Sequence, residues 1–315
     1  MSRERSRLLT AFAAVYIIWG STYLAIRYAI ETIPPFTMAG TRFLLAGAIL
    51  VVWARVRGAA WPSAAQWRTA AWVGALLLLG GNGGVTWAEQ RVPSALAALM
   101  VGAEPLWVVV LDWIRPRGNR PSSSVMAGLL VGFAGVVLLV APWEAGGGPV
   151  EPVGAIALVI ATVSWAIGSI ASKGAPAPQS PLMGTGANML AGSALLYAAG
   201  VVTGEPARLD VSQVSAVSVA ALLYLVVFGA VVGFTAYLWL LKNTSLALAS
   251  TYAYVNPVVA VVLGWSIAGE EISLRVLAAA VVILSGVVLI TVKPRLAIGA
   301  KAPREPKLEP AVSGQ

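Results

Sequence analysis

The sequence lacks cysteine and histidine altogether, and this absence excludes several kinds of site. Without cysteine, the chain has no disulfide framework and no thiolate metal site. Without histidine, it has no Ser-His-Asp triad, no histidine metal ligand and no histidine proton shuttle. The 13 acidic residues are too scattered to form a carboxylate metal cage. We therefore expect no metal, no cofactor and no enzymatic activity.

Charged residues are also scarce, making up 11% of the 315 residues, whereas 58% are hydrophobic. Soluble domains usually carry about 25% charged residues. This composition predicts an all-α integral membrane protein whose surroundings are the lipid bilayer. The net charge of +8 does not indicate nucleic-acid binding, because the placement of the basic residues between apolar stretches matters more than their sum.

Long apolar stretches dominate the chain, and ten of them approach the length of about 20 residues that a membrane-spanning helix needs. The basic residues before the first stretch, 1–9, resemble the start of a signal peptide. No small-x-small cleavage site follows, so we expect the first stretch to be retained as a helix. The tail, 293–315, is rich in proline, lysine and glutamate and is expected to be disordered. The predicted spans are 10–29, 36–54, 69–88, 94–113, 124–141, 153–172, 181–202, 217–240, 246–268 and 274–292.

The lysines and arginines predict which side of the membrane each loop faces, because basic residues are retained in the cytoplasm. With both termini in the cytoplasm, 16 of the 21 basic residues fall in cytoplasmic segments. Arg91, Arg208 and Arg275 then lie outside, while Arg27 and Arg42 lie within spans. The sequence thus predicts a multi-pass membrane protein with both termini in the cytoplasm.

The two halves of the chain resemble one another, which indicates an internal duplication. The segment ALAALMVGAEPLWVVVLDW (95–113) aligns with ALASTYAYVNPVVAVVLGW (247–265). Since each half holds five predicted helices, an odd number, the second half must enter the membrane from the opposite side. We predict two inverted five-helix repeats, 10–142 and 153–292. Inverted repeats build alternating-access transporters, with the substrate site near the midplane of the membrane.

Glu104 raises the first functional question, because it lies in the middle of an apolar span directly before Pro105. The repeat places Asn256 and Pro257 at the equivalent position. Each proline removes a helical hydrogen bond, so we predict that both helices break beside a cavity. A carboxylate at this depth is costly unless it faces a cavity or a partner. Glu104 is therefore a candidate for binding a substrate ammonium or a proton; the alternative is a structural pair with Arg42 or a neutral, hydrogen-bonded carboxyl.

Polar and aromatic side chains form one stripe on each of two helices that the repeat relates. The stripes consist of Tyr16, Trp19, Tyr23 and Arg27 on the first helix, and of Thr162, Trp165, Ser169 and Ser172 on the sixth. Spacings of three and four residues keep each set on one face. A water-filled cavity explains such faces. The alternative is ordinary helix packing or, for Tyr23, a place at the membrane interface.

The third helix contains GGNGG, residues 80–84. This is not a phosphate loop, since no Lys-Ser or Lys-Thr follows it and no strand precedes it. The glycines favour close helix approach or bending. Asn82, Thr86 and Glu89 share one face and are candidates to line an outward path. Arg42, on the second helix, is a candidate partner of Glu89.

Three segments carry a resemblance to known proteins: WGSTYLAIRYAIETIPPF, WAEQRVPSALAALMVGAEPLW and ASTYAYVNPVVAVVLGWSIAGEEIS. In this order they resemble the drug/metabolite transporter superfamily, specifically its EamA-type ten-helix exporters. The resemblance implies a central cavity lined by helices one to four and six to nine. It also implies export of amino acids, other small metabolites or drugs across the bacterial inner membrane, with exchange for protons as the candidate coupling.

From the residues and the resemblance together, we predict a secondary exporter of small metabolites. Amino acids, including hydrophobic and aromatic ones, are the first substrate class and drugs the second. Glu104 and Arg42 are the candidate coupling or charge-bearing residues, and Pro105 and Pro257 the candidate helix breaks. The candidate substrate-binding residues are Tyr16, Trp19, Tyr23, Asn82, Trp107, Trp165, Ser169, Tyr252 and Asn256.

Two other classes of protein are compatible with a multi-pass chain. One is a membrane-embedded enzyme or flippase that handles a lipid or isoprenoid carrier; against it, the sequence offers no obvious set of catalytic groups. The other is a selective channel; against it, no filter-like loop is found. The oligomeric state is left open, and a monomer is compatible with the sequence.

Overall fold

The computed structural model describes residues 3–115, 120–140, 151–172, 174–244 and 252–292. These residues form helices and connections, with no strand among them. The tail predicted to be disordered, 293–315, lies outside the described residues, as does the connection 141–150 between the halves. The apolar helices make the chain an all-α integral membrane protein, as the composition predicts.

The long helices are numbered in chain order. They are α1 (Arg3–Ala29), α2 (Pro35–Val56), α3 (64–88), α4 (Ser94–Ile114), α5 (Ser123–Val140), α6 (Pro152–Ala171), α7 (Pro181–Val202), α8 (216–243), α9 (Tyr252–Ala268) and α10 (Leu274–Val292). α1 begins at Arg3, well before the first predicted span. A one-turn helix, Glu205–Arg208, lies between α7 and α8.

Six helices in the described part of the chain are long and apolar enough to cross a membrane. These are α1, α2, α4, α6, α7 and α8. Shorter apolar helices lie within α5, α9 and α10. The helical, membrane-spanning class is thus confirmed, whereas ten as the number of spans stays a prediction.

Two helices contain a π-helical segment, a feature that the sequence did not predict. In α3 it covers Gly74–Gly83, and in α8 it covers Leu225–Val232. The two helices are the third of their respective halves, so the repeat relates the two segments. A π-helical turn interrupts the regular hydrogen-bond ladder and is frequently found at functional sites. GGNGG overlaps the end of the first segment, and Cβ atoms on Gly81, Gly83 and Gly84 would each lie 2.8 Å from a side chain of α6 or α7, which supports the predicted close helix approach.

The largest contacts in the fold join a helix of one half to a helix of the other. α1 packs against α8 and α9, and its repeat counterpart α6 packs against α3 and α4. α2 packs against α7, and each also touches the π-helical helix of the other half. α5 packs against α10. The two halves are therefore interleaved rather than placed side by side.

Glycines permit the closest of these contacts. A Cβ on Gly47 of α2 would lie 3.0 Å from the Gly186 carbonyl oxygen of α7. A Cβ on Gly286 of α10 would collide with the backbone of Gly132 in α5. Small residues let membrane helices approach closely where apolar burial alone gives no driving force.

Two buried carboxylates cap helix N-termini on the side where α2 and α4 begin. Glu205 accepts hydrogen bonds from the amides of Phe36 and Thr37, at 2.9 and 2.7 Å. Glu270 accepts from the amides of Ser94 and Ala95, at 2.9 and 3.1 Å. A carboxylate satisfies the first N–H groups of a helix and complements its dipole. Both side chains thus fix where these helices start.

Candidate substrate site

A cavity of about 130 Å³ lies where the two halves meet. Side chains of α1, α2, α3, α4, α6, α8 and α9 line it. Its volume is of the same order as the roughly 150 Å³ cavity that holds a benzene molecule in another protein. Residues proposed from the sequence that line it are Trp19, Tyr23, Arg42, Asn82, Glu104, Trp165, Tyr252, Asn256 and Pro257.

Trp19 joins the cavity to the π-helical segment of α8. Its indole Nε1 donates a hydrogen bond to the Gly229 carbonyl oxygen at 3.1 Å. Its ring meets Tyr252 of α9 edge-on, with centroids 5.0 Å apart at 86°, and Phe234 of α8 at 5.3 Å. A Cβ on Gly233 would collide with the indole. The position of the Trp19 indole therefore requires a glycine at position 233, because any larger residue would overlap it.

Trp165 occupies the related position in the other half. A Cβ on Gly81, in the π-helical segment of α3, would lie 2.8 Å from the Trp165 ring. The neighbouring Ser164 hydroxyl donates to the Leu76 carbonyl oxygen of the same segment at 2.8 Å. In each half, the first helix therefore donates a side-chain hydrogen bond to a backbone carbonyl in the π-helical segment of the other half.

Charges of opposite sign line different parts of the cavity. Arg42 is 5% exposed, and its Nε has no hydrogen-bond partner in the described residues. Its Cζ lies 4.9 Å from the Phe43 ring centroid, and Nη2 lies beside Gly229. Among the described residues Arg42 forms no salt bridge, so neither candidate pair, with Glu104 or with Glu89, is formed. Glu104 lies near the ring pair of Tyr237 and Tyr252.

A comparison with family models identifies the chain. The model of the EamA-like transporter family matches residues 6–141 and 152–292, which is nearly the whole sequence. The chain belongs to the EamA-like transporter family. It is therefore a membrane transporter, and the cavity between its halves is the candidate place for a small-molecule substrate.

Relatives with printed names support this membership. An Escherichia coli K12 protein named uncharacterized inner membrane transporter YedA is 39% identical over 92% of both chains. Protein PecM of Dickeya dadantii is 27% identical over 87% of this chain and 88% of its own. One solved crystal structure superposes with a TM-score of 0.61 at 24% identity, covering 92% of this chain and 99% of the other. At that identity the likeness supports the fold alone.

The two proline positions of this EamA-like transporter differ. α4 is interrupted at Ala103, so that a second helical segment begins at Glu104, directly before Pro105. α9 runs through Pro257 without interruption, so the predicted break there is wrong. The reason lies in the preceding residues: Gly102, a poor helix former, has Tyr254 as its repeat counterpart.

Asn256 adds a further link between α9 and α1. When its side-chain nitrogen faces the nearby backbone, Asn256 donates hydrogen bonds to the carbonyl oxygen of Tyr252 at 3.2 Å and to that of Tyr16 at 3.3 Å. That orientation is the one that satisfies the amide group. Asn256 is buried and lines the cavity. It therefore holds α1 against α9 next to Pro257.

Three candidate residues are absent from the cavity lining in the described part of the chain: Tyr16, Trp107 and Ser169. Trp107 instead meets Phe133 of α5 edge-on, at 4.8 Å and 72°. Three residues along a helix correspond to a rotation of about 300°, which leaves Trp107 about 60° away from Glu104. Tyr16 and Ser169 lie one helical turn from Trp19 and Trp165, beyond the end of the cavity. Spacing alone predicts a face but not how far a cavity extends along it.

Glu89 also lies outside the cavity lining, although it shares a helix face with Asn82. Thr86, between them, is buried and donates to the Asn82 carbonyl oxygen at 2.8 Å. Glu89 itself is 5% exposed. The sequence reasoning missed Glu205 and Glu270, because an acidic residue in a short loop carries no signal of burial.

Proposed function

We propose that this EamA-like transporter is a secondary active exporter whose first substrate class is amino acids, including hydrophobic and aromatic ones. The observation that carries the proposal is one small cavity that contains a guanidinium, a carboxylate and two indoles. These belong to Arg42, Glu104, Trp19 and Trp165. A free amino acid carries the complementary set: a carboxylate, an ammonium and an apolar side chain.

Each contact has a physical reason. Arg42 can bind a substrate carboxylate through two parallel hydrogen bonds, which suits a planar guanidinium. Glu104 can accept hydrogen bonds from the ammonium. The indole faces attract cations and stack with aromatic side chains. Arg42 forms no salt bridge among the described residues. A bound substrate carboxylate would therefore supply the negative charge that balances its guanidinium.

The dimensions favour a metabolite over a lipid. A cavity of about 130 Å³ is close in size to the roughly 150 Å³ cavity that holds benzene, so it suits a small molecule. An isoprenoid chain is several times larger, which disfavours an enzyme or flippase that handles such a carrier. The interleaved halves and the repeat-related π-helical segments support alternating access around a central site. The name of the Escherichia coli relative supports a location in the bacterial inner membrane.

Counterflow in proteoliposomes tests the proposal. Vesicles are preloaded with one unlabelled amino acid at a time, and entry of labelled leucine is followed. We expect transient accumulation with leucine or phenylalanine inside, and none with N-acetylleucine or leucinamide, which lack one of the two charges. Equal accumulation with those two derivatives would contradict recognition of both charges. No accumulation with any amino acid, from folded protein, would exclude this substrate class.

Arg42→Gln provides the residue-level test, with Arg91→Gln as the matched control. Arg91 lies over the Trp87 ring at the end of α3 and is not among the residues lining the cavity in the described part of the chain. We expect Arg42→Gln to raise the apparent KM for leucine at least tenfold, because a charged hydrogen bond contributes about 1.5 to 3 kcal/mol. The control should remain within about twofold of the wild type.

A further inference from the structure

Glu89 is a buried acidic residue without a hydrogen-bond partner in the described residues. Both oxygens of its carboxyl are buried, and neither has a hydrogen-bond partner in the part of the chain that the structure describes. Glu205 and Glu270 are about equally buried, yet each accepts several hydrogen bonds. Buried polar groups are nearly always hydrogen-bonded, so an exception calls for a functional explanation. A carboxyl in this position is far cheaper to bury when it carries a proton.

The charged and titratable groups facing Glu89 come from three directions. Tyr23 and Arg27 lie on α1, Arg42 lies on α2, and Glu270 lies between α9 and α10. α6, which packs against the end of α3, contains no charged residue. These groups decide whether Glu89 can ionise.

Of the two arginines that face Glu89, Arg27 and Arg42, the first already forms a salt bridge with another acid. Arg27 forms a 2.9 Å salt bridge with Glu270, whose carboxylate also caps α4. Arg42, by contrast, forms no salt bridge among the described residues and faces the cavity. Of the two described arginines that act electrostatically on Glu89, Arg42 is therefore the one without an acidic partner. That same cation is the one expected to bind a substrate carboxylate.

We propose that Glu89 is the proton-binding residue of this transporter, protonated when Arg42 is available to a substrate carboxylate and ionised when Arg42 turns to neutralise it. The step is a simple proton transfer, in which the carboxylate of Glu89 takes one proton from water and becomes a neutral carboxyl. The arrangement in the structure, with Glu89 unpartnered and Arg42 in the cavity, corresponds to the protonated, substrate-ready state. This inference rests on the proposed function, since it requires a substrate that bears a carboxylate.

The sign of the pH dependence follows directly. At low pH Glu89 is neutral and leaves Arg42 to the substrate. As pH rises, the ionised carboxylate competes with the substrate carboxylate for the same guanidinium. Substrate binding and proton binding therefore favour each other, which is the linkage of proton cotransport and not of the exchange that the family resemblance implies; an outward substrate gradient would then drive export. Apparent affinity falls by at most about tenfold per pH unit. Glu89→Gln cannot ionise, so it should keep the affinity of the acidic limit at every pH.

Leucine counterflow across a pH series tests this, comparing the wild type with Glu89→Gln and with Glu271→Gln, an exposed acid beside Glu270. We expect the wild type and Glu271→Gln to lose affinity as pH rises, and Glu89→Gln to show a flat profile. A wild-type profile in Glu89→Gln, or a flat profile in the wild type, would overturn the inference and leave the proposed function intact.

A second measurement needs no substrate, so it can tell a failure of the proposed function from a failure of the inference about Glu89. The infrared spectrum of the empty protein should contain the carbonyl band of a protonated carboxyl that is missing from Glu89→Gln. If no amino acid is transported, the proposed function fails, and this band still decides the state of Glu89. Its absence from the wild type across the pH series would overturn the inference. If Glu89→Gln does not fold, Glu89→Asp replaces it, and the band should shift instead of vanish.

Discussion

The indole of Trp19 and the backbone of Gly229 form a 3.1 Å hydrogen bond that links α1 to the π-helical segment of α8. This bond engages a backbone carbonyl within the irregular part of the helix, on the wall of the cavity. It connects a ring that lines the cavity with a π-helical segment, a kind of irregularity often found at functional sites. Motion of α8 and the position of Trp19 are therefore coupled.

Replacing Trp19 with phenylalanine tests this coupling. The ring remains, but the N–H is lost and the Gly229 carbonyl is left without its partner. We expect a slower counterflow rate with apparent KM changed by no more than about threefold, and a loss of about 1 kcal/mol in stability. Trp165→Phe is the matched control, because its indole forms no hydrogen bond with the described residues. Equal rates in the two variants would argue against a role for the hydrogen bond.

Alanine at Gly233 should displace the indole of Trp19. The added Cβ would lie 2.9 Å from Trp19 Cδ1 and closer still to Nε1. Overpacking of this kind costs about 1 to 3 kcal/mol, so we expect a lower Tm in detergent and weaker leucine binding. Gly184→Ala in α7 serves for comparison, since among the described residues its Cβ would meet only Pro178, at 3.5 Å. An unchanged Tm for Gly233→Ala would show that the indole can move at little cost.

The Glu270 carboxylate should matter more for stability than its salt bridge does. The Arg27 side chain is 38% exposed, so the ion pair itself contributes no more than about 1 kcal/mol. The two amides and the hydroxyl of Ser94 that Glu270 accepts from are buried. We expect Glu270→Ala to lower the thermal unfolding temperature clearly more than Arg27→Gln does. The reverse order would mean that the ion pair, not the helix cap, dominates.

Pro105 should affect transport rate more than Pro257, because only α4 is interrupted. Pro105→Ala restores an N–H that favours a continuous helix, so it should slow counterflow several-fold while leaving leucine affinity nearly unchanged. Pro257→Ala is the comparison and should have the smaller effect. The measurement is the initial counterflow rate at saturating leucine. A larger loss from Pro257→Ala would argue against a role in transport for the interruption of α4.

Glu104→Gln should impair recognition of the substrate ammonium. The amide still accepts a hydrogen bond but carries no charge, so we expect the apparent KM for leucine to rise by about tenfold. Leucine counterflow at a series of concentrations measures this. Asp112→Asn, later in the same helix, is the control for removing an acid from α4. An unchanged KM in Glu104→Gln would remove Glu104 from substrate binding.

Helix positions and cavity residues could largely be predicted from the sequence, because apolar runs and shared helix faces depend on local spacing. Face spacing predicts Trp19 and Trp165, and the cost of a charge inside a span predicts Arg42; all three line the cavity. The π-helical segments could not be predicted, since an extra residue per turn leaves the composition unchanged. The lack of a hydrogen-bond partner for Glu89 among the described residues could not be predicted either, because it depends on how the other helices pack around it.

The interleaving of the halves affects how the protein is made. α1 is synthesised first, yet its largest contacts are with α8 and α9. Contacts so distant in sequence delay folding, because a long stretch of chain must be ordered before they form. The earliest helix must therefore remain in the bilayer, with its cavity-lining face of Trp19 and Tyr23 uncovered, until nearly the whole chain has left the ribosome. During that interval its polar face is open to wrong partners, and truncated chains should be targets for membrane quality control.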